Sequence, residues 1–345
     1  MADGRPSGRW RGSLRAALTQ LVILLVTLAA TELVLRLLDL RFLRDGARPG
    51  YEFVYRYDPD LGWAPVPNAR AEFTGSRTVS VQNNSIGLRD IEHGRGGSPR
   101  ILFIGDSFTW GFDVETGERF TELLRQKLPQ ADIVNAGVPG YGTDQEYLLL
   151  GKIWDAVKPD VVVLIFCSDN DRGDNSSNMR YDGYYKPYVE QGPDGRLQFR
   201  GQPVPKSRRV YFVDNWLVRN SWVARVAVSA WVQVAVPRIY VPDPTERLIV
   251  MMRDFAAARG ARLMVGVQQR EHDPQLDTFL DAQGIPNTSF DDAESFDDFG
   301  YHWTPRGQAY VADALLALFA RHGIVHAGAA RAASAAAPRG ETGER

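Results

Sequence analysis

The stretch Arg100–Phe112, RILFIGDSFTWGF, joins a short apolar run to the tripeptide Gly105-Asp106-Ser107 and then to a predicted helix. The apolar run predicts a buried strand, so the Ser107 hydroxyl lies where the strand ends and the helix begins. Backbone N–H groups and the positive end of the helix dipole are available there to a developing oxyanion. The pattern indicates a nucleophilic serine, although turns and helix N-caps use the same residue types.

Outward from this stretch, apolar runs alternate with segments of helical periodicity. The predicted strands are Arg100–Ile104, Asp132–Val134, Val161–Cys167, Arg262–Val267 and Pro286–Phe290. Helices are predicted from Phe120 to Leu128 and from Tyr147 to Val157, and others begin at Asp243-Pro244 and at Thr304-Pro305. This alternation predicts an α/β fold, a three-layer α/β/α sandwich with a mostly parallel sheet of about five strands. Such sheets bind ligands at the carboxyl ends of their strands.

Composition divides the chain into segments. We predict a basic N-terminus (1–15), an apolar segment (16–40), a linker with a small β-rich part (41–99), an α/β domain (100–326) and a tail (327–345). Within the α/β domain, the insertion 172–242 is rich in Tyr, Trp and Gly and is suited to covering a substrate. The tail contains alanine, arginine and glycine without a hydrophobic period, which predicts disorder.

The segment Ala16–Thr31 carries no charge, and arginines precede it at positions 5, 9, 11 and 15. It is typical of an uncleaved membrane anchor or of a signal peptide. Leucine at the −3 position of Leu28-Ala29-Ala30 argues against cleavage there, and the apolar pattern resumes beyond Glu32. We therefore expect a single-pass anchor with a cytoplasmic N-terminus and a periplasmic body. Arginines beyond the segment leave the orientation open, and an amphipathic helix of a soluble protein is the alternative.

The overall composition excludes several classes of function. A net charge of −2, without a basic stripe, gives no support for a nucleic-acid partner. The single cysteine, Cys167, rules out an intrachain disulfide framework, and its apolar surroundings predict a buried thiol. We expect no cofactor and no metal, because the phosphate-binding glycine motifs are missing and the acidic run Asp169–Asn175 lacks the pattern of a calcium-binding loop.

Three loops follow the first three predicted strands, and in a parallel sheet they emerge at the same edge. They are Gly105-Asp106-Ser107, Asn135–Gly140 and Ser168–Asp171. His302 precedes the last helix, with Asp297 and Asp298 shortly upstream. Nucleophilic acyl transfer needs a serine, a base, a group that orients the base, and donors for the oxyanion. The chain supplies candidates for each of these.

From Arg100 to His322, the order of these blocks resembles that of the SGNH (GDSL-type) hydrolase superfamily. The segment Tyr57–Asp90 is similar to the approach segment of its membrane-tethered bacterial members. The resemblance implies that Ser107 is the nucleophile and His302 the general base, with Asp298 as its orienter. It further implies an oxyanion hole made of the backbone N–H groups of Ser107 and Gly140 and the side-chain amide of Asn170.

Two positions depart from the family pattern. Ser168 stands where the third block begins with glycine, and Phe299 stands where the family places aspartate three residues before the histidine. Asp298 therefore needs a bulged loop, and Asp297 or a backbone carbonyl are alternative partners of His302. We expect Asp106 to shape the loop by hydrogen bonding rather than to take part in the chemistry.

The sequence therefore predicts a membrane-anchored serine esterase or O-acyltransferase that works through an acyl-enzyme. By analogy with the family, the expected substrates are ester-linked groups, acetyl above all, on envelope or exopolysaccharide glycans. Two alternatives stay open. One is a lipid esterase held near the bilayer, and the other is a non-catalytic carbohydrate-binding or scaffold protein with the same fold.

Overall fold

A computed structural model describes residues 9–44, 54–94, 97–181, 183–298 and 300–325. The chain forms two compact units. The helical unit consists of the N-terminal residues to Arg48 together with Lys206–Pro237. The α/β unit consists of Pro49–Pro205 and Arg238–Arg345. The predicted basic N-terminus lies partly, and the predicted disordered tail wholly, outside the described residues.

The strands, numbered in chain order, are β1 Tyr55–Asp58, β2 Gly62–Pro65, β3 Arg70–Thr74, β4 Thr78–Gln82, β5 Arg100–Gly105, β6 Asp132–Gly137, β7 Val161–Phe166, β8 Met179–Arg180, β9 Tyr184–Tyr185, β10 Tyr188–Gln191, β11 Leu197–Arg200, β12 Arg262–Val267 and β13 Asn287–Ser289. The helices are α1 Arg9–Leu38, α2 Arg41–Arg44, α3 Ser107–Trp110, α4 Phe120–Lys127, α5 Thr143–Val157, α6 Asp171–Asn175, α7 Arg208–Asp214, α8 Trp216–Asn220, α9 Trp222–Ala235, α10 Thr245–Ala257, α11 Pro274–Ala282 and α12 Pro305–Arg321.

A five-stranded parallel sheet in the order β13-β12-β7-β5-β6 forms the centre of the α/β unit. Alternate residues of β5 point to opposite faces, so Leu102 and Ile104 join one apolar cluster and Ile101 and Phe103 join the other. Residues of α5, α10 and α11 complete the first cluster, and residues of α4 and α12 complete the second. The predicted three-layer sandwich with a five-stranded sheet is confirmed.

The structure adds most to the sequence-based predictions in the segments that lack a clear hydrophobic periodicity. The β-rich segment contains two antiparallel hairpins, β1–β2 and β3–β4, as predicted. Helix α11 was not predicted, although Asp273 caps it and Pro274 opens it. The insertion 172–242 contains both short strands, β8 to β11, and the helices α6 to α9.

The helical unit is built from α1, α2, α7, α8 and α9. The segment Gly12–Leu38 of α1 is long and apolar enough to cross a membrane, and a signal sequence passes the same test. Its residue Glu32 accepts hydrogen bonds at 3.0 Å from Ser221 Oγ and from the N–H groups of Trp222 and Val223. A carboxylate at this place satisfies N–H groups that the first turn of α9 leaves open.

A buried charged cluster ties the approach segment to the central sheet. The Asp90 carboxylate accepts hydrogen bonds from Asn135 N–H at 2.7 Å and from the Arg125 guanidinium at 3.0 Å. His93 lies between two carboxylates, 2.7 Å from Asp90 and 2.7 Å from Asp132. Burial alone would lower the pKa of His93, but its hydrogen bonds and the charges of these two aspartates outweigh burial and raise it.

We expect the stabilisation from His93 to depend on pH. Because its pKa is raised above the ordinary value of 6.5 on folding, the contribution is complete below pH 6.5 and is lost as pH rises through the folded-state pKa. The melting temperature of a His93→Gln variant should therefore lie furthest below that of the parent on the acidic side and approach it at alkaline pH. The exposed pair of His272 and Asp169 offers a control, His272→Gln, with a small effect. A deficit of His93→Gln that grows with pH would contradict the assignment.

Candidate active site

The turn from β5 into α3 depends on Gly105. A Cβ atom at this position would lie 2.1 Å from Thr109 Oγ1 and 2.8 Å from the Ile165 carbonyl oxygen. Asp106 caps α3, because its carboxylate accepts a hydrogen bond of 2.9 Å from Phe108 N–H. The predicted structural role of Asp106 is confirmed. Ser107 is the first residue of the helix, at the carboxyl edge of the sheet.

His302 reaches Ser107 from the other end of the α/β unit. Its Nε2 lies 2.8 Å from Ser107 Oγ, although 195 positions separate the two residues, and both side chains are buried. The Phe112 ring stacks on the imidazole with a centroid distance of 4.5 Å. The neighbouring Trp303 is buried against Phe108 and Phe290 and anchors the loop in the core. The structure thus brings the predicted nucleophile and the predicted base within hydrogen-bond distance.

The carboxylate nearest to the other ring nitrogen of His302 belongs to Asp113, not to Asp298. Asp113 Oδ2 lies 3.7 Å from His302 Nδ1, and no other carboxylate of the described residues lies within 4.0 Å of the ring nitrogens. Asp297 and Asp298 are exposed on the loop before His302, where the Asp298 backbone carbonyl accepts a hydrogen bond from Tyr301 N–H. The prediction of Asp298 as the carboxylate beside His302 is therefore wrong in this structure, because the loop turns that side chain to solvent.

Sequence reasoning missed Asp113, which stands at the end of the opening stretch. Its side chain is fully buried, and Ser76 N–H donates to Oδ1 at 2.9 Å. Oδ2, the oxygen nearer His302, has no hydrogen-bond partner among the described residues. The available signal in the sequence was an acidic residue between two apolar ones, Phe112 and Val114, which are both buried in the structure. A buried acid requires compensation by charge or hydrogen bonds, so such a position indicates a nearby partner.

The two predicted backbone donors, the N–H groups of Ser107 and Gly140, follow β5 and β6 at the carboxyl edge of the sheet. Among the described residues, neither Ser107 N–H nor Gly140 N–H has a protein acceptor. Gly140 has a φ of 78°, a conformation that favours glycine. A Cβ atom there would lie 2.7 Å from the Tyr181 ring, so this aromatic residue of the insertion borders the site at Gly140.

Asn170 also lies among polar groups of the site, but its amide is occupied. Its Nδ2 donates to Asp171 Oδ1 at 3.1 Å and to Asp174 Oδ2 at 2.9 Å, while Oδ1 accepts from Cys167 Sγ at 2.9 Å. For the amide to reach an oxyanion, it must exchange one of these carboxylates. A hydrogen bond from the Asn170 side chain also acts on Asp106, the neighbour of Ser107, so the predicted donor is engaged with carboxylates beside the site.

Several carboxyl groups lie buried beneath this edge of the sheet. Burial raises the pKa of Asp106 and of Asp174, the latter to about 7. Burial, with repulsion from neighbouring acids, raises the pKa of Asp171 and of Glu146 well above their ordinary values. Burial thus disfavours the charged form of each of these acids, and Arg180 compensates Asp174 through an ion pair of 2.8 Å.

The approach segment holds the loop that carries Phe112 and Asp113. Arg89 is buried and donates to the carbonyls of Gly111 at 2.6 Å and Val114 at 2.9 Å. Its guanidinium also lies 4.3 Å from the centroid of the Trp110 ring. Burial and the like charge of Arg119 lower the pKa of Arg89 to about 9, so it stays protonated at neutral pH.

The first part of the insertion is joined to the site by a buried ion pair. Lys186 and Asp144 of α5 are both fully buried and form this pair. Lys186 Nζ also donates to the carbonyl oxygens of Asp174 and Ser177, at 2.9 Å and 3.2 Å. These contacts fix the residues around Tyr181 relative to α5.

Cys167 directly follows β7 and is buried. The predicted burial of Cys167 is confirmed, and burial raises the pKa of its thiol well above the ordinary value. Within the described part of the chain, no group of three or more His, Cys, Asp or Glu residues is placed to hold a metal ion.

Comparisons with known proteins identify the family of this chain. Solved structures with similar folds include a lipolytic G-D-S-L family protein from Veillonella parvula (15% identity, TM-score 0.38, covering 64% of this chain and 98% of that one). Others are a GDSL-like lipase from Bacteroides thetaiotaomicron (11%, 0.37, 66% and 87%) and a carbohydrate acetylesterase family member from Sinorhizobium meliloti (12%, 0.36, 64% and 97%). No curated protein matches the chain. The model of the GDSL-like lipase/acylhydrolase family matches residues 103–310, more than half of the sequence. This chain is therefore a member of the GDSL-like lipase/acylhydrolase family.

Proposed function

We propose that this protein is a membrane-anchored serine esterase or O-acyltransferase with Ser107 as nucleophile and His302 as general base. Membership of an acylhydrolase family supports hydrolysis of ester bonds. The observation that carries the assignment to these residues is the buried hydrogen bond of 2.8 Å between Ser107 Oγ and His302 Nε2. A serine activated in this way is the common element of nucleophilic acyl transfer.

The reaction proceeds in two halves. Ser107 Oγ attacks the ester carbonyl carbon while His302 Nε2 takes the hydroxyl proton. The N–H groups of Ser107 and Gly140 stabilise the tetrahedral oxyanion, with the Asn170 amide as a third donor. Collapse breaks the ester C–O bond, and the proton on His302 passes to the leaving alcohol. Water or a sugar hydroxyl then attacks the acyl-enzyme and gives up its proton to His302, which returns a proton to Ser107 Oγ as the bond between the acyl group and Ser107 breaks.

Asp113 is proposed to stabilise the imidazolium that forms in each half-reaction. At 3.7 Å it is too far for a hydrogen bond, but its buried charge lowers the energy of a protonated His302. Stacking of Phe112 on the ring fixes the plane of the imidazole. The loop held by Arg89 thus supplies both contacts.

The proposed substrates are esters of small acyl groups, acetyl above all, on envelope or exopolysaccharide glycans. This choice rests on family analogy and on the proposed anchor, with the body on the periplasmic side. The presence of a candidate membrane span in the same chain also favours lipid esters as a second class. Relative rates on acetyl and long-chain p-nitrophenyl esters distinguish the two classes.

A fluorophosphonate probe should label the full-length parent protein in detergent. Ser107→Ala should abolish labelling, and His302→Ala should remove most of it, because the hydroxyl then lacks its base. Ser289→Ala, which removes an exposed hydroxyl on β13, is the matched control and should label like the parent. A folded parent that binds glycans but does not react would favour a non-catalytic binding or scaffold protein.

Asp113→Asn should lower kcat by about 10²–10³, because unit charges about 4 Å apart interact by about 4 kcal/mol at the effective dielectric constant of about 20 that describes protein sites. Asp298→Asn, the matched control on the exposed loop, should leave kcat unchanged. Steady-state kinetics on a p-nitrophenyl ester give both values. If Asp298→Asn lowered kcat and Asp113→Asn did not, Asp298 would be the carboxylate that stabilises the His302 imidazolium.

Asn170→Ala should lower kcat by about 10²–10³, the usual cost of removing one side-chain oxyanion donor. Circular dichroism should show a folded variant, since the side chain is only partly buried. A loss under about tenfold would mean that the amide stays with Asp171 and Asp174 during the reaction.

A further inference from the structure

Helix α9 presents an uncharged apolar stripe on its exposed side. The exposed apolar residues of this stripe share one helix face, with the uncharged Gln233 at its edge, and they are Val226, Ala227, Ala230, Trp231 and Val234. Trp231 is 57% exposed and Val234 is 85% exposed. The outer face of a helix in a soluble domain carries polar and charged residues. An exposed face of this composition indicates that something apolar covers it.

The only charged residue of α9 is Arg225, and it contacts other residues of the helical unit. Arg225 donates hydrogen bonds to the carbonyl oxygens of Leu43 at 2.6 Å, Val218 at 3.0 Å and Arg219 at 2.7 Å. Val232 is buried on the same side. Within the helical unit, the Trp231 ring makes an edge contact with Tyr211 of α7 at a centroid distance of 5.7 Å, and it is still more than half exposed.

The start of α9 is held at the end of the uncharged part of α1. Glu32 directly follows the uncharged segment Ala16–Thr31 and caps α9 through Ser221, Trp222 and Val223. Glu32 lies six residues before the end of α1 at Leu38, or about 9 Å along the helix axis. In a bilayer spanned by this segment, that depth corresponds to the boundary between acyl chains and headgroups.

The helical unit also has the basic residues and the exposed tryptophan that are typical of protein segments at a membrane surface. Residues 206–237 contain five basic residues and one acidic residue, a net charge of +4, whereas the whole chain carries −2. Basic segments beside a span are attracted to anionic lipids. Trp216 of α8 is 77% exposed, and tryptophan is enriched at the depth of lipid headgroups.

We infer that the exposed stripe of α9 lies in the lipid bilayer interface, as a second membrane contact beside α1. The occupant of this face is lipid, at the boundary of headgroups and acyl chains. The inference rests on the proposed anchor, because Glu32 places α9 relative to a membrane only if α1 crosses it.

The test uses the full-length protein in vesicles of phosphatidylcholine and phosphatidylglycerol. A nitroxide label is attached to Trp231→Cys, to Val234→Cys and to Asp254→Cys, the last an exposed helical position in the α/β unit. The natural Cys167 is buried, and the labelled parent measures its background. Power-saturation electron paramagnetic resonance then compares collisions with oxygen, which concentrates in lipid, and with a water-soluble nickel chelate.

For Trp231→Cys and Val234→Cys, we expect a ratio of oxygen to nickel accessibility severalfold above that of Asp254→Cys. A ratio equal to the control would overturn the inference. Low accessibility to both reagents would also overturn it, because the stripe would then be covered by protein, such as a second copy of the chain. Extraction of the parent from vesicles by alkaline carbonate is read separately, and release there would refute the anchor itself.

Discussion

The parallel direction of the central strands is the constraint on which the proposed site depends. Because β5, β6 and β7 run the same way, the loops after them emerge at one edge of the sheet. The helix that follows β5 starts at that edge with Ser107, and the loop before α12 delivers His302 to it. An antiparallel neighbour in the centre of the sheet would send one of these loops to the opposite edge. The hydrogen bond between the serine and the histidine is therefore a product of topology.

A second layer of contacts determines which carboxylate faces the histidine. The approach segment contributes a buried arginine, Arg89, that holds the carbonyls around Asp113, and a backbone N–H, from Ser76, that binds its carboxylate. Residues that lie outside the family match, before position 103, thus shape the surroundings of the base. Phenylalanine stands at position 299, and the carboxylate of Asp113, from a different loop, lies 3.7 Å from His302 Nδ1.

The buried acids beneath Ser107 set the electrostatics of the site. Their raised pKa values follow from burial, which disfavours a charged carboxylate. Negative charge near Ser107 would raise the energy of an oxyanion, so the compensation of these acids bears on the proposed reaction. Lys186, fully buried in its pair with Asp144, compensates the acid closest to the start of α5. The insertion therefore contributes both the aromatic border at Tyr181 and a compensating charge.

Local patterns in the sequence determined the sandwich, its five strands, the turn at Gly105 and the pairing of Ser107 with His302 as candidates. Local patterns were sufficient for these features because a parallel strand that is buried on both faces is a continuous apolar run in the sequence. Glycine, aspartate and proline mark where the strands and helices begin and end. Only the tertiary structure decided the partner of His302 and the contacts of Asn170. Asp113 and Asp298 are both plausible by residue type, and the choice depends on which loop turns inward and which faces solvent. Such a choice is made by packing between residues far apart in the chain, such as Arg89 and Val114, and a local pattern does not record it.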